Sequence, residues 1–208
     1  MAQETKEKIV GEAMRLFAVK GYGATSIADI LQASGANSGS LYYFFPTKQD
    51  LLLEVLRRYQ AGIADMLLAP AWEGLSDPIE KVFALLAAYR HMLVATDCTY
   101  GCPIGSLALE IHEPDPPVRA LLAENFEGWV LAVEACYRDA AARLPPDIDR
   151  HALSIFTLTI MEGAVMQART HRNLLAYDAS IAMLRDHVAR LEAAAKNSTD
   201  YQNQGDLT

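Results

Sequence analysis

The chain has 208 residues, 51% of them hydrophobic, which is enough to bury a substantial core. No apolar run reaches the roughly 18 to 20 residues of a membrane span, and the first residues lack the basic-then-apolar order of a signal peptide, so a cytoplasmic protein with no membrane contact is expected. The net charge of −8 excludes a chain that is basic throughout. Residues 1–60 carry a net charge of +1 and the rest of the chain carries −9, so any contact with a polyanion is expected in residues 1–60.

Apolar residues recur every three or four positions along most of the chain, which predicts an all-α fold. A first helix is predicted at about 5–20, before the glycine-containing segment 21–23. The sequence Ser26-Ile-Ala-Asp29 has the pattern of a capping box and opens a short second helix that ends at residues 34–35. A third short helix is predicted at about 37–45.

Thr47-Lys-Gln-Asp50 is a second capping box, at the start of a long helix that is predicted to run to about Leu68 and to break in the segment 70–78. Asp77-Pro78 predicts an N-cap followed by a first-turn proline. From there the helices are expected at about 78–96, 103–112, 117–143, 149–171 and 178–195. The polar tail, residues 196–208, is predicted to be disordered.

The second and third helices are joined by residues 33–36 and have the lengths and the glycine-containing turn of a helix-turn-helix. A recognition helix must enter a major groove only about 12 Å wide, which favours small and flat polar residues on its outer face. The small residues of the third helix are Ser38, Gly39 and Ser40, and the residues spaced as a buried face are Leu41, Phe44 and Phe45. This spacing leaves Tyr42 and Tyr43 facing outward, where their hydroxyls can reach phosphates.

Lys48 lies in the first turn of the long helix, immediately after Thr47. A cation in this position opposes the helix macrodipole by about 0.3 to 1 kcal/mol, so a compensating anion is expected. A DNA phosphate would meet this requirement, because a helix N-terminus is itself an anion site and the lysine adds a charge-assisted contact.

Residues 9–52 resemble the TetR/AcrR family of transcriptional regulators at Phe17, Gly21-Tyr22, Thr25-Ser26, Ile30, Gly35, Gly39, Leu41-Tyr42, Phe45, Lys48 and Leu51-Leu52. The resemblance implies a homodimeric repressor with a DNA-binding domain at 1–47 and a helical ligand-binding and dimerisation domain at 48–195. Together with the pattern of the third helix, it marks as contacts to double-stranded operator DNA the residues Thr25, Ser26, Asn37, Ser38, Gly39, Ser40, Tyr42, Tyr43, Thr47 and Lys48. Asn37 and Ser38 depart from the serine and the basic residue that are more usual in the family, which leaves the operator sequence open.

The segments 101–110 and 161–164, together with Trp129, resemble a particular branch of that family, the LmrA/YxaF-like branch. Its members include repressors that flavonoids or drugs release from DNA, which implies a small aromatic effector. A pocket between helices needs an aromatic lining and a few polar groups. The candidate lining residues are Phe83, Met92, Cys102, Ser106, Glu110, Asn125, Phe126, Trp129, Phe156, Thr157, Met161 and Glu162.

The last two predicted helices are expected to pack against their copies in a four-helix interface between protomers. The apolar positions that could supply this contact are Ile155, Leu158, Leu184, Val188 and Leu191.

Neither an enzyme nor a metal or cofactor site is expected. The five histidines show no HExxH and no Cys/His spacing of a zinc site, and no Gly-x-Ser-x-Gly, P-loop or dinucleotide fingerprint occurs. Cys102 stands before Pro103 at a predicted helix start, where a thiol can become reactive, although a buried structural cysteine is the favoured interpretation. Two alternatives therefore stay open: a repressor that senses oxidants or electrophiles through Cys102, and a binding protein with no DNA role.

Overall fold

A computed structural model of the chain describes the backbone of residues 2–205 and the side chains of residues 2–197. The predicted all-α class is confirmed, because this part of the chain contains helices and no β-strand. The helices are α1 (Ala2–Lys20), α2 (Ile27–Ser34), α3 (Ser38–Phe44), α4 (Lys48–Ile63), α5 (Ala69–Trp72), α6 (Pro78–Ala95), α7 (Pro103–Glu110), α8 (Pro116–Asp139), α9 (Arg150–His171) and α10 (Leu175–Gly205). A π-helical turn, Ala64–Leu68, follows α4, and a 3₁₀ turn, Ala141–Arg143, follows α8.

The chain forms two compact units, each assembled from two stretches of sequence. The first unit contains Met1–Ala64 and Thr99–Glu127, and the second contains Asp65–Cys98 and Gly128–Thr208. Helices α4 and α7 thus pack as part of the same unit as α1 to α3. This division by packing does not coincide with the functional boundary proposed between residues 47 and 48, which stays a prediction.

In the first unit, α1 packs against α2, α3, α4 and α7. The buried side chains at its centre include Ile9, Phe17, Ile30, Leu41, Phe45, Leu51 and Val55. Both predicted capping boxes are present: Ser26 and Asp29 cap α2, and Thr47 and Asp50 cap α4. Gly35 ends α2 with a φ of 66°, in the left-handed region that favours glycine, and this turn directs the chain into α3.

In the second unit, α9 packs against α10, and α6 packs against both of them. Two buried tyrosines have hydrogen-bond partners for their hydroxyls. The Tyr137 hydroxyl lies 3.0 Å from the Thr157 hydroxyl, and the Tyr177 hydroxyl donates to the Leu86 carbonyl at 2.6 Å. Thr157 is therefore used inside the packed interior of this unit.

The end of α4 differs in its hydrogen bonding from the predicted helix to about Leu68 with a break in the segment 70–78. The α-helical pattern ends at Ile63, five residues follow in a π-helical turn, and the helix resumes at Ala69. Helix α5 ends at Trp72, inside the segment where the break was predicted, and Pro70 itself lies in the first turn of α5, a position that tolerates proline.

Helix α10 also extends beyond its predicted end at 195, while the disorder of the tail 196–208 stays a prediction. Helix α10 continues to Gly205, because no proline or glycine interrupts it earlier and the strong helix formers Ala193, Ala194 and Ala195 precede the polar residues. The rest of the predicted tail, residues 206–208, lies outside the described residues.

Candidate nucleic-acid interface

Helix α3 presents one polar face and one buried face. Leu41 and Phe45 are buried, Phe44 is half-buried, and Tyr42 and Tyr43 are 51% and 80% exposed. The helix is fixed at its start by Asn37, whose side-chain oxygen accepts the Ser40 N–H at 2.8 Å. A short helix held at its cap and on its inner face offers a rigid outer surface.

The predicted small residues lie on this outer surface. Asn37, Ser38 and Gly39 are exposed and Ser40 is half-buried. A Cβ atom on Gly39 would lie 3.3 Å from the capping oxygen of Asn37, so glycine lets the cap form without crowding. A shallow groove lies between α3 and the start of α1. Its lining residues are Ala2 and Thr5 of α1, the cap Asn37, and Gly39, Ser40, Tyr43 and Phe44 of α3.

Ser26 and Thr47, both predicted DNA contacts, lie at exposed helix starts. Each hydroxyl donates to the carboxylate of its capping-box partner at 2.7 Å and accepts that residue's backbone N–H at 3.1 Å. The hydrogen bonds from the Ser26 hydroxyl and backbone, together with Lys20, lower the pKa of Asp29 to about 2. These side chains first of all stabilise the starts of α2 and α4.

The prediction that the Thr25 side chain contacts DNA does not fit the structure. Thr25 is fully buried, and its hydroxyl donates to the carbonyl of Gly21 at 2.7 Å. Its role is to close the turn between α1 and α2, since the hydroxyl bonds to Gly21 in the turn and also lies 3.3 Å from the carbonyl of Leu16 in α1.

The lysine in the first turn of α4 has a partner inside the protein. Lys48 donates to the backbone carbonyl of Tyr22, and its ammonium lies 4.2 Å from the centre of the Tyr22 ring. Partial burial lowers the pKa of Lys48, and the nearby Glu110 carboxylate opposes this shift. The sequence predicted that a DNA phosphate offsets the unfavourable position of the Lys48 charge at a helix start. In the structure, the Tyr22 carbonyl and the Glu110 carboxylate, both in the first unit, stabilise this charge. An ammonium has three donor hydrogens, so this bond does not exhaust it.

The other cations of this region are paired with carboxylates. Lys6 and Arg57 contact Glu54, Arg58 contacts Glu7, and the remaining pairs are Lys8 with Glu4, Arg15 with Glu12, and Lys20 with Asp29. Every Lys and Arg of residues 1–60 therefore has a partner within the protein. The net charge of residues 1–60 is therefore only +1, and no Lys or Arg among them lacks a partner.

The predicted ligand-lining residues are divided between the two units. Cys102, Ser106, Glu110, Asn125 and Phe126 belong to the first unit, and Phe83, Met92, Trp129, Phe156, Thr157, Met161 and Glu162 belong to the second. Buried side chains among them are Phe83, Cys102, Asn125, Trp129, Thr157 and Met161, and half-buried ones are Met92, Ser106, Phe126 and Glu162. Within the second unit, the Trp129 and Tyr89 rings pack with centroids 5.9 Å apart.

Two polar residues predicted to line the pocket, Glu110 and Asn125, instead form hydrogen bonds to the backbone of the first unit. The Glu110 carboxylate accepts the backbone N–H groups of Tyr22 at 2.8 Å and of Gly23 at 2.6 Å. The Asn125 amide, 2% exposed, donates to the carbonyls of Leu121 at 2.8 Å and of Leu56 at 3.1 Å. Sequence reasoning missed both roles, because partners so distant along the chain leave no local pattern.

Phe156 is exposed on α9, where its ring meets His187 of α10 edge-on at 5.8 Å, so it does not line an interior pocket of the second unit. The predicted interface residues Leu158, Leu184 and Val188 are buried within the protomer and cannot form a contact surface. Among the described side chains of α9 and α10, the large exposed apolar ones are Ile155, which was predicted for the interface, and Phe156, Met166, Leu175 and Met183, which were not. Beside them, a shallow groove is lined by Thr159, Ile160, Gly163, Ala164, Gln167, Ala179, Ser180 and Met183.

The three cysteines, Cys98, Cys102 and Cys136, are buried. Cys102 is 2% exposed, and its sulfur caps α7 by accepting the Gly105 N–H at 3.5 Å. Burial raises the pKa of Cys136 to about 11. These environments are those of structural rather than reactive thiols.

Within residues 2–205, no helix combines the length and the apolar content that a membrane crossing requires. The side chains that the structure describes include no group of three or more His, Cys, Asp and Glu that could hold a metal ion.

Comparison with known families gives matches to both parts of the chain. Residues 9–55 match the family of bacterial regulatory proteins named tetR, and residues 78–184 match the tetracyclin repressor-like C-terminal domain. An uncharacterised HTH-type transcriptional regulator of Mycobacterium tuberculosis is 33% identical, over 88% of this chain and 94% of its own length. The regulators YxaF and LmrA of Bacillus subtilis are 30% and 29% identical over 82% of this chain, and over 87% and 89% of their own lengths. The predicted resemblance to the LmrA/YxaF-like branch is thereby confirmed.

Solved structures show the same fold. A TetR transcriptional regulator of Chloroflexus aurantiacus is 27% identical, with a TM-score of 0.78 over 90% of this chain and 96% of that one. A regulatory protein TetR of Rhodobacter sphaeroides is 23% identical, with a TM-score of 0.80 over 88% of this chain and 98% of that one.

Proposed function

The chain belongs to the TetR family of bacterial transcriptional regulators, and on this premise we propose that it is a cytoplasmic homodimeric repressor released from its operator by a small aromatic molecule. The family supplies the transcriptional role and the DNA-binding helix-turn-helix. Repression, the palindromic site, the dimer and the effector are the parts that the proposal adds.

The observation that carries the proposal is the outer face of α3. Its cap and inner face are fixed by Asn37 and Leu41, while Tyr42 and Tyr43 and the small residues before them are exposed. Small residues allow a helix to approach the floor of a major groove, and outward hydroxyls can bind the phosphates on either side. The functional domain boundary at residue 47 follows the end of this segment.

The proposal is tested by selecting binding sites from random double-stranded DNA. We expect the selected sequences to converge on an inverted repeat whose half-sites are about 34 to 36 Å apart, or a multiple of that distance. Fluorescence anisotropy on the selected site should give specific binding that unrelated DNA does not compete away. Failure to enrich any sequence would contradict the DNA-binding role.

A homodimer is supported by the exposed apolar side chains on α9 and α10. Monomeric proteins rarely expose contiguous apolar patches, and such patches mark sites of association. The contact is proposed to keep Ile155 from the sequence-based set and to use Phe156, Met166 and Met183 in place of the buried Leu158, Leu184 and Val188.

The aromatic effector rests on the likeness to the LmrA/YxaF-like branch and on aromatic side chains such as Trp129 and Tyr89 in the second unit. Ligand and DNA must affect each other reciprocally: if the ligand weakens DNA binding a hundredfold, DNA weakens ligand binding by the same factor, about 2.7 kcal/mol of coupling.

The alternative effector mechanism, thiol modification at Cys102, is disfavoured by the burial of its sulfur. Cys102→Ser separates the two mechanisms, because serine keeps a capping atom and removes thiol chemistry. We expect the variant to bind the operator and to release it when planar aromatic compounds are added, as the wild type does. Release of the wild type by peroxide or a quinone alone, lost in the variant, would establish the thiol mechanism instead.

A further inference from the structure

The turn between α1 and α2 contains two neighbouring N–H groups that point at one acceptor. Gly21 follows α1 with a φ of 89°, and its own N–H still closes the helix on the Phe17 carbonyl at 3.0 Å. A left-handed residue at this point turns the following N–H groups to the same side, which makes a concave anion site in the backbone. The groups concerned are the backbone N–H groups of Tyr22 and Gly23.

Glu110, at the end of α7, fills this anion site. One carboxylate oxygen accepts the Tyr22 N–H at 2.8 Å and the other accepts the Gly23 N–H at 2.6 Å. The approach is close: a Cβ atom would lie 3.0 Å from a carboxylate oxygen at position 21 and 3.1 Å at position 23. Glycine at both positions is what lets a carboxylate bind both N–H groups at once.

The Tyr22 residue is also held through its carbonyl. That carbonyl accepts a hydrogen bond from Lys48 in the first turn of α4 and the Thr25 N–H at 3.3 Å. Thr25 directly precedes Ser26, the N-cap of α2. The turn therefore joins the end of α7 to the starts of α2 and α4, all within the first unit.

We infer that Glu110 is a positioning residue for DNA binding: by binding the Tyr22 and Gly23 N–H groups it fixes the turn from which α2, and with it the helix-turn-helix, is oriented. This inference rests on the proposed function, because it concerns how the DNA-binding helices are held. Glu110 itself is assigned no contact with DNA. It lies 88 residues from Tyr22 in sequence, at the end of a helix that family comparison places in the C-terminal domain.

The contact is tested first in the protein without DNA. In Glu110→Ala, the amide protons of Tyr22 and Gly23 should lose the downfield NMR shift of a charge-assisted hydrogen bond and exchange with solvent about tenfold faster. Glu110→Gln, which keeps one acceptor oxygen, should retain one of the two bonds. Glu113→Gln, the same chemical change at an exposed residue three positions away, should leave both amides unchanged. Unchanged Tyr22 and Gly23 amides in Glu110→Ala would overturn the inference.

DNA affinity is measured next, by anisotropy on the selected operator. We expect Glu110→Ala to weaken binding about fivefold or more, at the lower end of typical coupling between sites, while Glu113→Gln stays within about twofold of the wild type. Freed amides with unchanged or tighter DNA binding would overturn the positioning role. If the wild type binds no DNA, the proposed function fails and the positioning role fails with it, and the amide data alone show whether the Glu110 contact exists.

A double-mutant cycle excludes a general loss of folding. Gly23→Ala crowds the Glu110 carboxylate and should weaken DNA binding when Glu110 is present. In the Glu110→Ala background the same methyl group meets no carboxylate, so its effect should be smaller by about threefold or more. Additive effects of the two substitutions would contradict the inference, because a nonspecific loss of stability does not depend on the partner residue.

Discussion

The Asn125 side chain joins two helices through one buried amide. Its nitrogen donates to Leu121 on its own helix and to Leu56 on α4, and the side chain is almost entirely shielded from solvent. Glu110, although exposed, likewise binds two N–H groups of the turn after α1, and the half-buried Lys48 binds the Tyr22 carbonyl. These three side chains show that the polar groups of the first unit stabilise its internal arrangement before any ligand or DNA is bound.

Substitution of Asn125 should destabilise the protein by an amount that depends on the replacement. Asn125→Leu removes two hydrogen bonds of a buried amide and should lower the free energy of unfolding by about 1 to 3 kcal/mol. Asn125→Asp places an acceptor against two carbonyl oxygens and should cost about 3 kcal/mol or more. Urea unfolding followed by circular dichroism measures both, with the exposed Glu124→Gln as a control that should change little. Equal losses for Leu and Asp would contradict this account.

The capping carboxylate of Asp29 predicts a pH dependence. Its pKa falls from 3.8 to about 2, mainly because of hydrogen bonds from Ser26, so the stabilisation is complete above about pH 4 and is lost as the pH falls towards 2. Asp29→Asn should therefore lower the melting temperature at pH 7, and the difference from the wild type should narrow between pH 4 and pH 2.

Thermal unfolding over this pH range measures the effect of Asp29, and the exposed loop substitution Asp147→Asn serves as the control. A difference that stays constant down to pH 2 would mean that the carboxylate charge is not what stabilises the start of α2.

At the scale of elements, helix starts were predictable from sequence and several other features were not. Ser26, Thr47 and Asp77 cap helices through partners two or three residues away, so a local pattern contains the whole interaction. The end of α4 and the continuation of α10 to Gly205 depend on hydrogen-bonding alternatives that a local pattern does not distinguish. The buried role of Asn125 depends on a partner 69 residues away, which only the folded chain brings close.

The pairing of α9 and α10 with a second copy is tested by Met183→Asp. Met183 is 68% exposed beside the groove between these helices, and a carboxylate there should prevent an apolar interface from forming. We expect sedimentation velocity at micromolar concentration to show a monomer. Met66→Asp is a matched control, because Met66 is 66% exposed and lies in the π-helical turn. A dimer that survives Met183→Asp, or one lost equally in Met66→Asp, would reject this interface.

For the whole molecule, the distribution of charge sets how DNA binding should depend on salt. Residues 1–60 carry a net charge of only +1, and their cations are already paired, while the rest of the chain carries −9. The fold class and this asymmetry could be read from sequence. The pairing could not, because contacts such as Arg58 with Glu7 join residues far apart in the chain.

A shallow salt dependence is therefore expected for operator binding. Proteins that contact phosphates through many cations reach slopes near −10 in log K against log salt concentration, whereas here the dimer should show a slope no steeper than about −4. Anisotropy titrations at several salt concentrations measure the slope. A value near −10 would mean that the ion pairs of α1 and α4 open when DNA binds.

The π-helical turn at Ala64–Leu68 gives the chain an unusual tolerance for a change of length. Each hydrogen-bonded ring in such a turn encloses one residue more than an α-helical ring. Deleting a single residue inside α4, for example Val55, would rotate every later side chain of the helix by about 100° and move buried positions to the surface. A one-residue deletion within the π turn converts its wider hydrogen-bonded rings to ordinary α-helical ones. The helix then continues without rotating the side chains that follow, so a deletion should be tolerated here and not in α4.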